Sequence, residues 1–119
     1  MSDTDAEFLL KLAAAFKVEA ADHLQVISSG LMELEKQPDA GRRGEVVASI
    51  FREAHSLKGA ARAVNSADVE AICQSLEDVF AAWRRRDVRP GPEMLDALHL
   101  AVTALENIVS APDGARARV

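Results

Sequence analysis

The chain holds a single cysteine, Cys73, so no disulfide can form within it and nothing points to an oxidising compartment. Tyrosine is absent and tryptophan occurs once. That scarcity of β-formers, beside abundant Ala, Leu, Glu and Arg, favours an all-helical fold. No apolar run approaches the ~20 residues needed to span a bilayer. The opening Met1-Ser-Asp-Thr-Asp5 lacks the basic start of a signal peptide. Positive charge is also short, with a formal net charge of −5, which argues against nucleic acid as a partner. The one basic run, Arg84-Arg85-Arg86, reads as solvating a helix C-terminus and complementing its dipole. None of the six glycines forms the Gly-x-x-x-x-Gly-Lys loop of a nucleotide site. His23, His55 and His99 have no metal-ligand spacing. These exclusions leave a cytoplasmic helical domain with no membrane insertion, metal or resident cofactor; as an isolated domain it is expected to be monomeric, although nothing in the residues fixes an oligomeric state.

What is present is enough for one modest core: 119 residues, 49% hydrophobic and 28% charged. Thr4-Asp5-Ala6-Glu7 has the form of a capping box and predicts the start of a first helix. Its stripe, Ala13, Phe16, Ala20, Leu24, Ile27, Leu31 and Leu34, runs to the turn at Pro38-Asp39-Ala40-Gly41. This helix exceeds the others, so its first residues either overhang or form a separate short helix before Phe16. A second helix begins between Arg42 and Glu45 and carries Val47, Ile50, Ala54, Leu57, Ala61 and Val64. Asn65-Ser66-Ala67-Asp68 makes the next corner, with Ser66 as the expected N-cap. The third helix carries Val69, Ile72, Leu76, Val79, Phe80 and Trp83, and the fourth opens at Pro92 and carries Leu95, Leu98, Val102, Leu105 and Val109. Short connections between amphipathic helices predict an antiparallel up-down-up-down four-helix bundle over residues 1–111, with 112–119 a tail or the beginning of a linker.

The stretch Phe51-Arg-Glu-Ala-His-Ser-Leu-Lys-Gly-Ala-Ala61 carries the chemistry. His55 misses its helix's apolar stripe by one residue, and Lys58 and Gly59, three and four positions on, share its face. Gly59 costs a helix interior about 1 kcal/mol relative to alanine and would open access to the imidazole. If the chain folds back at Ser66, residues equidistant from that corner lie level, and 55 pairs with 77. Glu77 can then accept the Nδ1–H of His55, fix one tautomer and leave Nε2 as an outward nucleophile. Lys58 and Arg62 would neutralise a phosphoryl group. Ser56 does not form a nucleophile–base pair with its neighbour His55, because consecutive helix residues point about 100° apart. The bland alternative is a rim histidine and glutamate forming a surface pair worth under ~1 kcal/mol. Cys73 reads as a half-buried hydrophobe, and His23 and His99 as boundary residues.

The string His55-Ser56-Leu57-Lys58-Gly59, preceded by Ile50-Phe51-Arg52-Glu53-Ala54, closely resembles the His-x-x-Lys-Gly signature of histidine-containing phosphotransfer (HPt) domains. Its wording is most similar to the N-terminal phosphotransfer domain of CheA-type chemotaxis histidine kinases. The likeness runs from Phe16 through the third helix. It implies a four-helix bundle in which His55 is phosphorylated on Nε2 by a separate ATP-binding kinase domain and then passes the group to an aspartate of a response-regulator receiver domain. ATP and Mg²⁺ would be held by those partners. By the same resemblance Lys58 and Gly59 are motif neighbours of His55, and Glu77 orients the imidazole. Ala60, Ala61 and Arg62 depart from a richer glycine pattern, leaving Arg62 for phosphate binding or partner choice. On this reading the chain is not a complete enzyme. Two rivals stay open: a helical scaffold domain without phosphotransfer, and a standalone relay shuttle, which the Arg-rich end disfavours relative to a kinase fragment.

Overall fold

Capping chemistry sets where each helix begins. In the computed structural model, which describes residues 2–111, the helices are α1 (Asp3–Glu35), α2 (Ala40–Ala63), α3 (Ala67–Arg86) and α4 (Pro92–Ser110). The expected tail, 112–119, lies outside the described residues. Ser2, not Thr4, caps α1: its hydroxyl accepts the Asp5 N–H at 3.1 Å, which leaves the Thr4–Glu7 box inside the first turn. Asp39 likewise accepts the Arg42 N–H at 2.9 Å, so α2 begins at Ala40, earlier than periodicity placed it.

Helix α1 is continuous, which removes the alternative of a separate helix before Phe16. Its 33 residues span about 50 Å at 1.5 Å each, against 24, 20 and 19 residues in the others. The excess overhangs the bundle. Phe8, Leu9 and Leu10 are exposed there, and Phe16 is the first buried residue of α1.

The corner between α2 and α3 is a Schellman turn. Asn65 takes a left-handed φ of 58°, which asparagine tolerates better than most residues. The Ser66 N–H bonds the Ala61 carbonyl at 2.9 Å and the Asn65 N–H bonds that of Arg62 at 3.2 Å. Ser66 stands at the N-cap position of α3 but does not cap it, because its hydroxyl donates to Asp68 Oδ1 at 3.0 Å. This rigid corner fixes the register between the two helices that matter most for function.

The helices contact one another in cyclic order, α1 with α2, α2 with α3, α3 with α4, and α4 with α1, as an antiparallel bundle requires. Ile27, Leu31, Ile50, Leu57, Val69, Phe80 and Leu105 are the largest fully buried apolar side chains of one core. Cys73 is fully buried rather than half-buried, and burial together with the nearby Glu77 charge pushes its thiol up to about 12. It is therefore inert at neutral pH. Gly30, which periodicity did not single out, lets α1 and α2 approach: a Cβ there would lie 2.4 Å from Ile50 Cγ2. Arg43 is buried in α2 and donates from Nη2 to Asp87 Oδ1 at 3.2 Å, tying α2 to the loop after α3. No helix among the described residues is long and apolar enough to cross a membrane.

Candidate functional site

His55 and Glu77 each stand eleven residues from Ser66, and the corner brings them level across the α2–α3 seam. His55 Nδ1 lies 2.7 Å from Glu77 Oε1. A carboxylate can only accept here, so the imidazole donates Nδ1–H and carries its lone pair on Nε2. The two groups differ sharply in exposure: the His55 side chain is 64% accessible and that of Glu77 11%. Glu77 thus belongs to the buried face of α3, inward of the rim position that the one-residue offset from Leu76 suggested.

A buried carboxylate needs compensation, and Lys58 supplies it. Its Nζ sits 2.5 Å from Glu77 Oε2 and donates to Gln74 Oε1 at 3.1 Å. Burial alone would push the Glu77 carboxyl up. The hydrogen bonds from Lys58 and His55 outweigh that and hold it below the usual carboxylate range. The charge that faces His55 is therefore a fixed carboxylate at neutral pH, and the charge of Lys58 is committed to Glu77.

The remaining motif residues are placed differently. Gly59 is exposed, and a Cβ added to it would meet nothing within 4 Å, so its missing side chain serves no helix packing. Ser56 is exposed on α2. Arg62 is held by Glu70, Nε to Oε1 at 2.9 Å, two turns of helix beyond His55 and not at its ring. Sequence reasoning missed Gln74, the second acceptor for Lys58. The signal was present: 58 and 74 are equidistant from 66, as 55 and 77 are.

The other two histidines are also paired with carboxylates, and the pairings across helices, to Glu53 and Glu35, are ones that single-helix periodicity could not reveal. His23 is 19% exposed, with Nδ1 2.5 Å from Glu53 Oε2 and Nε2 3.3 Å from Glu19 Oε1. His99 Nε2 meets Glu35 Oε1 at 2.7 Å. Among the described residues, no group of three or more His, Cys, Asp or Glu side chains is placed to hold a metal ion.

Fold and site together define a class: an antiparallel helical bundle that displays one carboxylate-held imidazole, with its second nitrogen turned to solvent. Comparison with known proteins narrows the class. The Hpt domain family model matches residues 11–108. The chemotaxis protein CheA of Bacillus subtilis is 33% identical over 102 residues, covering 82% of this chain and 15% of that protein. A gliding motility regulatory protein of Myxococcus xanthus is 40% identical over 81 residues, 67% of this chain and 10% of that one. The CheA phosphotransferase domain from Thermotoga maritima matches with a TM-score of 0.74 at 27% identity, covering 92% of this chain and 95% of that domain. The chain belongs to the Hpt domain family, the histidine phosphotransfer modules of two-component phosphorelays. It spans about 15% of the length of the CheA proteins it matches.

Proposed function

We propose that His55 is the relay nucleophile of this module: it takes a phosphoryl group on Nε2 from an ATP-dependent histidine kinase domain and hands it to an aspartate of a receiver domain. The observation that carries this reading is the geometry of one imidazole, bonded through Nδ1 to Glu77 with Nε2 on the accessible side of a 64% exposed side chain.

The chemistry follows from that arrangement. The Nε2 lone pair attacks the γ-phosphorus of ATP, the bond to the ADP oxygen breaks, and an N–P bond forms. The ring carries positive charge as it does so, because Nδ1 keeps its proton. Glu77, already ionised and already oriented, stabilises that charge without reorganising. In the second step the N–P bond breaks toward an aspartate oxygen, and the electron pair returns to Nε2. ATP and Mg²⁺ belong to the partner domains. Lys58 is ion-paired with Glu77 Oε2 and donates one hydrogen bond to Gln74 Oε1, and as an ammonium with three N–H groups it has donor capacity left for a phosphoryl oxygen. Gly59 leaves the approach to the ring open, and Ser56 and Arg62 stand on the outward surface that a partner would meet.

Incubation with a histidine kinase domain and γ-labelled ATP tests the reading. Wild type should acquire an acid-labile label, as a phosphoramidate bond requires, and His55→Gln should acquire none. Acid-stable label, or label retained by the variant, would overturn it. The likeness to chemotaxis proteins and to a gliding motility regulatory protein favours chemotaxis or motility signalling as the setting, within a larger kinase.

A further inference from the structure

Arg84, Arg85 and Arg86 form the last turn of α3. The Arg84 guanidinium lies over the Phe51 ring, 5.2 Å from its centroid. Phe51 stands one turn before His55 on α2, and Arg84 stands two turns beyond Glu77 on α3. Ring and guanidinium therefore continue the same α2–α3 groove that holds the imidazole. Seven residues at 1.5 Å each set Arg84 about 10 Å along the bundle from the level of His55. Ala81, Arg84 and Arg85 line a shallow, open depression beside it. Arg52, three residues before His55, is exposed on the outward side of α2.

These cations differ from the others near the site. Lys58 is neutralised by Glu77, and Arg62 by Glu70. Among the described residues, Arg52, Arg84 and Arg85 have no carboxylate partner. The level of His55 thus carries no surplus positive charge, in a chain whose net charge is −5. A phosphorylated imidazole there would repel an acceptor that is itself a carboxylate. Unpaired cations about one Debye length away offset that repulsion without competing for the phosphoryl group. Seating the guanidinium on an aromatic face also removes rotational freedom before a partner arrives, so less is lost when it forks onto a carboxylate.

We propose that Phe51, Arg84, Arg85 and Arg52 form a docking strip that selects receiver domains bearing carboxylates about 10 Å from the acceptor aspartate. The inference rests on the reading of His55 as the relay nucleophile. Its test starts with the full chain phosphorylated by phosphoramidate, a donor too small to touch the strip. Transfer is then measured to whichever receiver domain of the source genome accepts fastest from wild type. The variant Arg84→Glu/Arg85→Glu should label normally with phosphoramidate yet transfer to that receiver about 10- to 100-fold more slowly at low salt. The deficit should shrink near 1 M salt, where the Debye length falls to about 3 Å. Phe51→Leu, which removes the ring and keeps an apolar contact, should give a smaller loss of about 2- to 5-fold. Unchanged transfer, a salt-independent deficit, or a defect confined to phosphorylation by a kinase domain would overturn the docking strip. Failure of wild type itself to label with phosphoramidate would instead sink the reading of His55 on which the strip depends.

Discussion

His55 and His23 each place Nδ1 against a glutamate across a helix seam, at 2.7 Å and 2.5 Å. On the α2–α3 seam the carboxylate is the buried partner and the imidazole the exposed one. On the α1–α2 seam both side chains are largely covered, and Glu19 occupies the second ring nitrogen. One pairing leaves a lone pair facing solvent, while the other consumes both nitrogens within the fold. A histidine beside a carboxylate is therefore not a reactive site by itself. What counts is which partner is buried and whether the second nitrogen is left over.

The sharpest way to break that contrast is to remove the carboxylate that orients His55. Glu77→Ala should slow phosphorylation of His55 by about 10- to 100-fold, since the developing imidazolium loses its counter-charge. It should also lower stability by about 1–3 kcal/mol, because Lys58 is left half-buried without its anion. The stability loss follows from Glu77 being buried, a placement that a rim residue would not have. Label transfer and denaturant unfolding measure the two effects. A variant that reacts at the wild-type rate would contradict the assigned role.

Two glycines extend the comparison from side chains to backbone. Gly30 lies on the α1–α2 seam, where a Cβ would collide with the branched Ile50 side chain, so Gly30→Ala should cost about 1–3 kcal/mol. Gly59 lies on the face of His55, where a Cβ would meet nothing, so Gly59→Ala should gain about 0.5–1 kcal/mol through helix propensity. Thermal melts of the two variants should move in opposite directions. Any slowing of phosphotransfer in the more stable Gly59→Ala would mark steric access as the reason for the glycine.

The smallest effect concerns pH. Burial pulls the His23 imidazole down, but the hydrogen bonds it donates to the Glu53 and Glu19 carboxylates outweigh this and raise it above 6.5. A folded value above the unfolded one means that the pair stabilises fully below about pH 6.5 and fades as pH rises through the raised value. The melting-temperature gap between wild type and His23→Gln should therefore narrow on going alkaline. A gap that widens would reverse the assignment.

Much of this molecule was legible in its residue pattern. The stripes of all four helices found most of the core, and the corner at Asn65-Ser66 fixed the level pairing of His55 with Glu77, because antiparallel geometry needs only a midpoint. Inward depth was not legible, since one residue beyond a stripe can face either seam. Glu77 and Cys73 accordingly proved more buried than spacing implied. Caps were misplaced for a related reason: Ser2 and Asp39 compete with neighbours that also suit the role, and backbone direction decides among them. The contact of Glu53 with His23 depends on a register between α1 and α2 that no single helix encodes, whereas that of Gln74 with Lys58 follows from the same midpoint at Ser66 and was overlooked.

Phosphoramidate labelling followed by ³¹P–¹⁵N NMR of the imidazole nitrogens probes the principal assertion most directly. One acid-labile phosphoryl group coupled to Nε2 of His55, with His23 and His99 unmodified, is the outcome expected. Coupling to Nδ1, modification of His23, or no nitrogen-bound phosphorus would contradict it.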